Sequence, residues 1–393
     1  MLIESVILPP RLRAPDLSGA VFDVAIENRH IAAITPCKPG TVARGTLLPG
    51  LVDLHLHLDK SYTVAQTGAA NGDLFRAIEM IAKNRATWTA ADLQQRMSRA
   101  LQEAWLGGTR ALRTHLDWMS PARPVSINVF TGLRDQWQDR LQMQWVSLTA
   151  LEIFDDRAVG QSIAAQVKEA AGILGCFVYR HANLRQRLHD VFALAEQHDL
   201  DLDFHVDEGL DVDATALRDI AELTLAFGWQ QRVTCGHACS LSIQPKAQAL
   251  STLEQVSLAG ISLVSLPTTN LYLQGCWDAT PVERGITRLM EARRGGVNVS
   301  LSNDNVADPF YPYGSYDLME TWALGVQLAH LAPVEDWLDT ITTAPAHAMK
   351  LAWNGQLAPG CPADLILLKA QDGLDLMNPA GRKRRVCRNG VWI

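Results

Sequence analysis

The chain has 393 residues, of which 48% are hydrophobic and 20% are charged, so it can bury a large core and is neither disordered nor fibrous. With 35 basic and 42 acidic residues, its formal net charge is −7. A mildly acidic chain has no electrostatic basis for general nucleic-acid binding, which favours a small-molecule partner.

The N-terminus and the cysteines indicate a cytoplasmic protein. The first ten residues, MLIESVILPP, lack the basic and apolar regions of a signal peptide, and no stretch approaches the roughly 18 apolar residues of a membrane span. The seven cysteines form an odd, scattered set without a CxxC pair, which favours reduced thiols. We therefore expect a cytoplasmic protein that does not cross a membrane.

Short apolar runs alternate with helical patterns along most of the chain. The runs predict strands at 49–57, 109–116, 143–151, 173–180, 201–206, 231–237, 261–266 and 297–302. The periodicity between them predicts helices at 90–106, 156–171, 184–198, 213–227, 246–258, 280–294, 315–331 and 334–350. Eight such units predict an α/β fold in which a parallel sheet closes into a (β/α)₈ TIM barrel.

The two ends of the chain differ from this pattern. Residues 1–48 and 355–393 contain short strand-like runs separated by Pro, Gly and Asn turns. These segments are expected to form a small discontinuous β-sandwich domain built from both termini. Residues 49–354 then form the barrel domain.

The end of the first barrel strand carries the strongest local signal, an HxH pair made by His55 and His57. Side chains alternate along a strand, so both imidazoles point to one side and can hold one metal ion. Two hydrogen-bonded histidines in a half-buried strand are the alternative interpretation.

Further metal-ligand candidates lie at later strand ends. His205, His237 and Asp304 end the fifth, sixth and eighth predicted strands. Strand ends converge at the mouth of a barrel, where imidazoles and a carboxylate around a divalent ion form a hydrolytic centre.

With these motifs the sequence resembles the amidohydrolase superfamily and, within it, the cytosine deaminase branch. The resemblance covers essentially the whole chain. It rests on PGLVD at 49–53, HLHLD at 55–59, RTHLD at 113–117, HVDE at 205–208, NLYLQG at 270–275, RGITR at 284–288, DN at 304–305, DP at 308–309 and PADL at 362–365.

The resemblance implies a mononuclear metal centre and assigns its residues. One divalent ion, Zn²⁺ or Fe²⁺ with Mn²⁺ as a further option, would be bound by His55, His57, His205 and Asp304. His237 would contact the bound water and the developing oxyanion. Relatives with two metals carry a bridging Lys or Glu after the fourth strand, whereas residues 177–181 read FVYRH here.

Hydrolytic deamination follows from this centre. The ion lowers the pKa of a bound water, so that hydroxide is available near neutral pH to attack a ring carbon and release ammonia. Asp304 is placed to accept a proton. Glu208, three residues beyond His205, is placed to protonate the adjacent ring nitrogen. The alternative for Glu208 is a solvated acid or a helix-start carboxylate.

Departures from cytosine deaminases indicate the substrate-binding residues. Ala150 and Glu152 lie where those enzymes carry a ring-reading glutamine, Asn305 replaces an aspartate, and Phe310 replaces a tryptophan. The neutral amide and the smaller aromatic change the hydrogen bonds and space available. We expect the substrate to be cytosine or a modified pyrimidine such as 5-methylcytosine, which places the enzyme in pyrimidine metabolism.

Lys60 supports an alternative substrate class. The segment DKSYT at 59–63 resembles N-isopropylammelide amidohydrolases, which act on aminotriazines, whereas Glu208 favours a pyrimidine-like ring. Lys60 either reaches a substrate carbonyl or, as we favour, pairs with an acid at the rim. Another cyclic amidine, or a non-catalytic scaffold with an amidohydrolase fold, is a further alternative, although the intact ligand set favours an enzyme.

Two predictions concern residues and contacts outside the ligand set. His115, at the end of the second strand, is expected behind the metal ligands or in the pocket wall. The resemblance also implies a homo-oligomer, because relatives commonly assemble in that way.

Overall fold

A computed structural model describes residues 1–393 and contains two sheets with fifteen strands in all. The strands are β1 (Leu2–Ile7), β2 (Phe22–Glu27), β3 (His30–Pro36), β4 (Gly45–Pro49), β5 (Leu51–Leu56), β6 (Thr109–Asp117), β7 (Gln142–Ala150), β8 (Ile173–Val178), β9 (Leu202–Val206), β10 (Val233–His237), β11 (Ser262–Ser265), β12 (Asn298–Leu301), β13 (Leu365–Leu368), β14 (Arg384–Arg388) and β15 (Val391–Trp392).

Helices fill most of the connections between the strands of the larger sheet. The α-helices are α1 (Val64–Thr67), α2 (Leu74–Arg85), α3 (Ala90–Gly107), α4 (Val125–Trp137), α5 (Arg157–Glu169), α6 (Leu184–His198), α7 (Ala216–Ala226), α8 (Lys246–Leu258), α9 (Pro267–Leu273), α10 (Leu289–Arg294), α11 (Leu318–Leu328), α12 (Thr343–Ala348) and α13 (Gly373–Met377). Shorter 3₁₀ helices are Pro10–Leu12, Leu151–Asp155, Cys239–Ser242 and Val334–Ile341. No helix has both the length and the apolar character that crossing a membrane requires.

The eight strands from β5 to β12 form a parallel sheet in chain order. An isolated parallel bridge between Leu56 and Asp304 connects β5 with the segment after β12 and closes this sheet. The predicted (β/α)₈ TIM barrel is therefore confirmed. All eight observed strands overlap the runs that periodicity predicts.

Burial explains why these runs become strands. Every residue of β5, β9, β10 and β11 is buried, as expected for parallel strands that are covered on both faces. The helices pack one apolar face on the barrel. In α3 the buried stripe includes Leu93, Met97 and Leu101, and Thr89 caps the N-terminus by accepting a hydrogen bond from the Asp92 backbone N–H at 3.2 Å.

One predicted helix is much shorter than expected. The periodicity predicts a helix over 280–294, but α10 begins only at Leu289. Pro281 precedes it, and Gly285 has a left-handed φ of 71°, which an α-helix cannot contain. The predicted helix at 334–350 is likewise divided into a 3₁₀ helix and α12, with a break at Thr342.

Five helices lie outside the predicted ones: the long helices α2 and α4 and the short helices α1, α9 and α13. In α2 the buried stripe consists only of Leu74, Ala77 and Ile81, which is a weak periodic signal. In α4 the first six residues, VSINVF, are rich in β-branched and aromatic side chains, which are also typical of strands. Tertiary packing decides the conformation of such segments.

The strands from both termini form one mixed sheet of seven strands in the order β15-β14-β13-β4-β1-β2-β3. The antiparallel pair β4–β13 joins the N-terminal and C-terminal segments, and the sheet has its own buried cluster, which includes Phe22, Ile31 and Leu47. Gly50 lies between this sheet and the barrel. A Cβ at Gly50 would lie 2.6 Å from the Cβ of Arg110, so the close packing there needs glycine.

Candidate metal centre and substrate cavity

Four side chains meet at the carboxyl ends of β5, β9 and β12. The Nε2 atom of His205 lies 3.1 Å from that of His55 and 3.3 Å from that of His57. The Asp304 Oδ1 atom lies 3.0 Å from His57 Nε2 and 3.5 Å from His55 Nε2. Ligands bonded to a tetrahedral zinc ion at about 2.0–2.2 Å are separated by about 3.3–3.6 Å. The four atoms therefore fit around a single divalent ion.

The four side chains are buried and carry polar atoms without a hydrogen-bond partner in the protein, so they require a bound partner. Both carboxylate oxygens of Asp304 are buried and accept no hydrogen bond, and the Nδ1 atoms of His55, His57 and His205 are also unpaired. An isolated buried carboxylate is strongly unfavourable in free energy. Burial lowers the pKa of all three histidines well below the ordinary value, so the imidazoles are neutral, which is their metal-binding form. The residues present fit the metal ion that the ligand set predicts.

The backbone at the strand ends is held in an uncommon conformation. Asp207, His237 and Asp304 have φ values of 49°, 70° and 64°, in the left-handed region that few non-glycine residues adopt. Each of these residues lies at or just after a strand that provides a functional side chain. Such local strain is typical of functional sites, where the surrounding structure maintains it.

Gly236, which precedes His237 in β10, provides space for a metal ligand. A Cβ at this position would lie 2.9 Å from both Nδ1 and Cε1 of His55. Any larger residue would displace the His55 ring. The sequence analysis did not identify this requirement, although the CGH segment contains the glycine.

His115 lies behind the metal ligands, and it does not line the substrate cavity. Its ring centroid is 3.9 Å from that of His55, and its Nε2 atom is 3.2 Å from Asp203 Oδ1. These three residues could themselves hold an ion. However, Arg113 donates a 2.8 Å hydrogen bond to Asp203 Oδ2 and already balances its charge. We therefore interpret His115 and Asp203 as support for His55.

Glu208 and His237 lie next to each other in the site. The Oε1 atom of Glu208 lies 3.5 Å from Nδ1 of His237, and both side chains are buried. Burial and the nearby charge of Asp304 raise the pKa of Glu208 well above its ordinary value. Burial lowers the pKa of His237 to about 4. These shifts favour the protonated form of Glu208 and the uncharged form of His237.

The α9 region contacts both of these residues. The Nδ2 atom of Asn270 lies 3.0 Å from His237 Nδ1, and Gln274 Nε2 donates a 2.9 Å hydrogen bond to the backbone carbonyl of Glu208. Asn270 and Gln274 are buried, and both belong to the NLYLQG motif.

A cavity of about 280 Å³ opens at the metal centre. All five predicted substrate-binding residues line it, namely Lys60, Ala150, Glu152, Asn305 and Phe310. Eight further apolar or aromatic residues, which were not among the predicted site residues, also line it: Leu74, Phe75, Ile78 and Ile81 from α2, Met119, Leu148, and Phe177 and Tyr179 at the end of β8. The α2 residues were missed because the helix itself was not predicted.

Lys60 pairs with an acid, which is the alternative that we favour from the sequence. The pair is buried in the cavity wall, however, and does not lie at a solvated rim. Lys60 Nζ donates a 2.8 Å hydrogen bond to Asp117 Oδ1 and lies 5.1 Å from the centre of the Phe310 ring. Arg85 donates to the other Asp117 oxygen. Burial alone would raise the pKa of Asp117, but these two cations outweigh it and hold that pKa below its usual range.

The other predicted contact residues occupy different parts of the wall. Glu152 is half exposed at the outer end, where its Oε1 atom lies 3.0 Å from His181 Nδ1. Asn305 is buried and donates a 2.6 Å hydrogen bond from Nδ2 to Asp308 Oδ2.

Comparison with known proteins is consistent with this geometry. A sequence model of the amidohydrolase family matches residues 131–391. A pterin deaminase from Rhizobium rhizogenes (strain K84 / ATCC BAA-868) is 34% identical over 381 residues, which cover 94% of this chain and 87% of the relative. The N-isopropylammelide isopropyl amidohydrolase of Pseudomonas sp. (strain ADP) is 25% identical over 393 residues, which cover 95% of this chain and 94% of the relative.

Solved structures agree in fold. The 5-methylcytosine deaminase from Klebsiella pneumoniae, liganded with 5-fluorocytosine, has a TM-score of 0.87 and 25% sequence identity, with 100% of this chain and 97% of that one covered. The family match and the metal-ligand set identify a hydrolytic enzyme for carbon–nitrogen bonds, and the chain belongs to the amidohydrolase family.

Proposed function

We propose that the chain is a metal-dependent hydrolytic deaminase, which replaces the amino group of a small N-heterocycle by oxygen and releases ammonia. The observation that carries the proposal is the presence of a buried carboxyl, whose pKa is raised by burial, in the same cavity as the metal-ligand set. Glu208 lines this cavity together with His57, His205 and Asp304. A hydrolytic deaminase needs both a source of hydroxide and a proton donor for the ring.

The reaction adds water across a ring C=N bond and then breaks the exocyclic C–N bond. When bound, the divalent ion supplies Lewis acidity and lowers the pKa of a coordinated water. Glu208 delivers its carboxyl proton to the ring nitrogen beside the reacting carbon, which makes that carbon more electrophilic. His237 donates a hydrogen bond to the oxygen that forms on this carbon. Asp304 accepts a proton, which the departing amino group needs in order to leave as ammonia.

The cavity supports a flat ring that is larger than cytosine. Its polar end carries Lys60, Glu208 and Asn305, while side chains such as Ile78 and Phe177 form an apolar wall. A single six-membered ring in about 280 Å³ would leave room for several waters at about 30 Å³ each. We therefore propose a modified pyrimidine with a fused second ring, as in pterin, in agreement with the name of the 34% identical relative.

Aminotriazines are a second candidate, favoured by one observation. The Lys60 ammonium lies in the cavity wall, and a relative that covers nearly the full chain is named for N-isopropylammelide. Because Lys60 already donates a hydrogen bond to Asp117, its remaining donors could meet a carbonyl of either ring. Glu208 favours the pyrimidine class, because it is placed to protonate a ring nitrogen.

The metal identity and the assembly state are also proposals. A three-histidine, one-carboxylate set accepts Zn²⁺, Fe²⁺ and Mn²⁺. We propose one such ion per subunit, a cytoplasmic location and a homo-oligomeric assembly. Metal analysis of the purified protein tests the ion, light scattering tests the assembly, and fractionation of the source cells tests the location.

An ammonia-release assay tests the function. Metal-loaded protein is incubated with pterin, isocytosine, cytosine, 5-methylcytosine and N-isopropylammelide, and ammonia and isopropylamine are measured separately. We expect ammonia from pterin, with lower kcat/KM for the single-ring pyrimidines. Asp304→Asn, prepared in the same way, is the control for contaminating deaminases. Isopropylamine release without ammonia from any pyrimidine would overturn the substrate class, and no turnover at full metal occupancy would overturn the proposed activity.

A further inference from the structure

The NLYLQG motif at 270–275 has no direct part in the reaction proposed above, although its side chains reach both proton-handling residues. We propose that Asn270 is a positioning residue that fixes the tautomer of His237, so that His237 acts as a hydrogen-bond donor and not as the base. The catalytic consequence rests on the proposed function, whereas the tautomer itself does not.

The hydrogen bond between Asn270 and His237 determines which ring nitrogen carries the proton. The amide nitrogen Nδ2 of Asn270 can only donate, and it lies 3.0 Å from His237 Nδ1. The Nδ1 atom must therefore accept this hydrogen bond with its lone pair. A neutral imidazole has one ring proton, which is then on Nε2.

The Nε2 atom is the one that remains free for the reaction. It is buried and has no hydrogen-bond partner in the protein. The His237 ring centroid lies 4.9 Å from that of His205 and 5.3 Å from that of His55, two of the metal ligands. An N–H group at this place can donate to the oxygen that develops on the reacting carbon.

Glu208 approaches the same nitrogen from a greater distance. Its Oε1 atom lies 3.5 Å from His237 Nδ1, whereas the Asn270 amide is 3.0 Å away. Because the Nδ1 lone pair accepts from Asn270, His237 does not take up the carboxyl proton of Glu208, which stays available for the substrate ring.

The same segment also holds the backbone of Glu208. Gln274, which follows α9, donates to the Glu208 carbonyl at 2.9 Å. Arg284, from the RGITR motif, donates to the carbonyl of Leu271 in α9 at 2.6 Å. A Cβ at Gly285 would lie 2.5 Å from Cγ of Gln274, so the second motif packs directly on the first. The NLYLQG and RGITR motifs, which take no direct part in the reaction, thus hold Glu208 and His237 in position relative to each other.

Nuclear magnetic resonance tests the tautomer without any substrate. In ¹⁵N-histidine-labelled, Zn²⁺-loaded protein, the two-bond ¹H–¹⁵N pattern distinguishes a protonated Nε2 from a protonated Nδ1, and loss of the signal in His237→Gln identifies His237. We expect Nε2 to be protonated in the unmodified protein. In Asn270→Asp the carboxylate accepts from Nδ1–H, so the pattern should reverse. Protonated Nδ1 in the unmodified protein would overturn the proposal.

Kinetics test the consequence of the tautomer. Losing one preorganised oxyanion donor costs about 10²–10³ in kcat. We expect a kcat loss of this size in Asn270→Asp, with KM and metal content little changed, and a smaller loss in Asn270→Ala, in which neither tautomer is imposed. Tyr272→Phe is the matched control, because Tyr272 also lies in α9 but does not line the cavity.

The two Asn270 variants and the NMR spectrum distinguish a failure of the tautomer assignment from a failure of the proposed function. If Asn270→Asp does not fold, as judged by its circular dichroism and Tm, Asn270→Ala provides the comparison, and kcat equal to that of the unmodified protein would overturn the role of Asn270. A protonated Nε2 in a protein that turns over none of the heterocycles would contradict the proposed function and leave the tautomer assignment intact.

Discussion

The backbone N–H of Asp304 donates a 2.9 Å hydrogen bond to the backbone carbonyl of His55. Both residues are predicted metal ligands, and the same contact belongs to the parallel bridge that closes the barrel. Closure of the barrel and assembly of the metal centre are therefore one structural event. The left-handed φ of 64° at Asp304 turns the chain at this point, directly after β12.

Metal removal is expected to destabilise the closed barrel. An ion that binds only the folded state stabilises it by about 4 kcal/mol when its concentration is a thousand times Kd. We expect chelation to lower Tm and Zn²⁺ to restore it, as measured by scanning calorimetry. Asp304→Asn should lose this response while keeping the backbone, because Asn also tolerates a left-handed φ. The prediction would be contradicted if the chelated protein and a sample with proven full metal occupancy had the same Tm.

Glu208→Gln should separate metal binding from catalysis. Glutamine has nearly the same shape, so metal content measured by elemental analysis should stay at the unmodified level. We expect kcat to fall about 10²–10⁴-fold, because a positioned acid–base group is lost. Because the pKa of Glu208 is raised, its proton-donating form persists to higher pH than that of an ordinary carboxyl, and kcat should fall as pH rises through this pKa. Unchanged kcat would exclude Glu208 from proton transfer.

Gly236→Ala should weaken metal binding through His55. The added Cβ would lie 2.9 Å from the Nδ1 and Cε1 atoms of His55, so the ring must move or the strand must shift. We expect metal affinity, measured by competition with a chelator, to fall at least about tenfold, as it does when the support of a ligand is disturbed. Overpacking should also lower stability by about 1–3 kcal/mol.

Gly132→Ala is the matched control for that variant. Gly132 lies within α4, and a Cβ there would meet nothing within 4 Å. Because alanine is favoured over glycine inside helices by about 0.5–1 kcal/mol, this variant should be slightly more stable and should bind metal normally. Equal metal affinity in both alanine variants would show that the His55 contact does not matter.

Lys60→Met should destabilise the fold, because the buried Asp117 carboxylate then loses one of the two cations that pair with it. Removing one partner of a buried ion pair costs about 3–5 kcal/mol, and Arg85, which still pairs with Asp117, should keep the loss near the lower figure. A double-mutant cycle with Asp117→Asn, followed by urea unfolding, should give a coupling of at least about 1 kcal/mol. Strict additivity of the two changes would show that the pair is unimportant for stability.

The same two variants test whether Lys60 contacts the substrate. If its ammonium binds a substrate carbonyl, Lys60→Met raises KM more than Asp117→Asn does. We expect this difference, because Lys60 Nζ has two further donors and lines the cavity. Equal KM values in the two variants would restrict Lys60 to a structural role.

Local sequence patterns predict the barrel and the ligand candidates. Eight apolar runs predicted β5 to β12, because strands covered on both faces must be continuously apolar. His55 and His57 were recognised as a pair from strand alternation alone, and His205 and Asp304 from their positions after later strands. These signals are local, so they can be detected without knowing the tertiary structure.

The surroundings of those ligands depend on contacts between distant parts of the chain. The pairing of Lys60 with Asp117, the space that Gly236 leaves for His55 and the contact from Asn270 to His237 each join residues that are far apart in the chain. The apolar wall from α2 depends on a helix whose periodic signal is weak. Such contacts arise from the closure of the barrel, which brings eight strand ends together, and no local pattern encodes which side chains then meet.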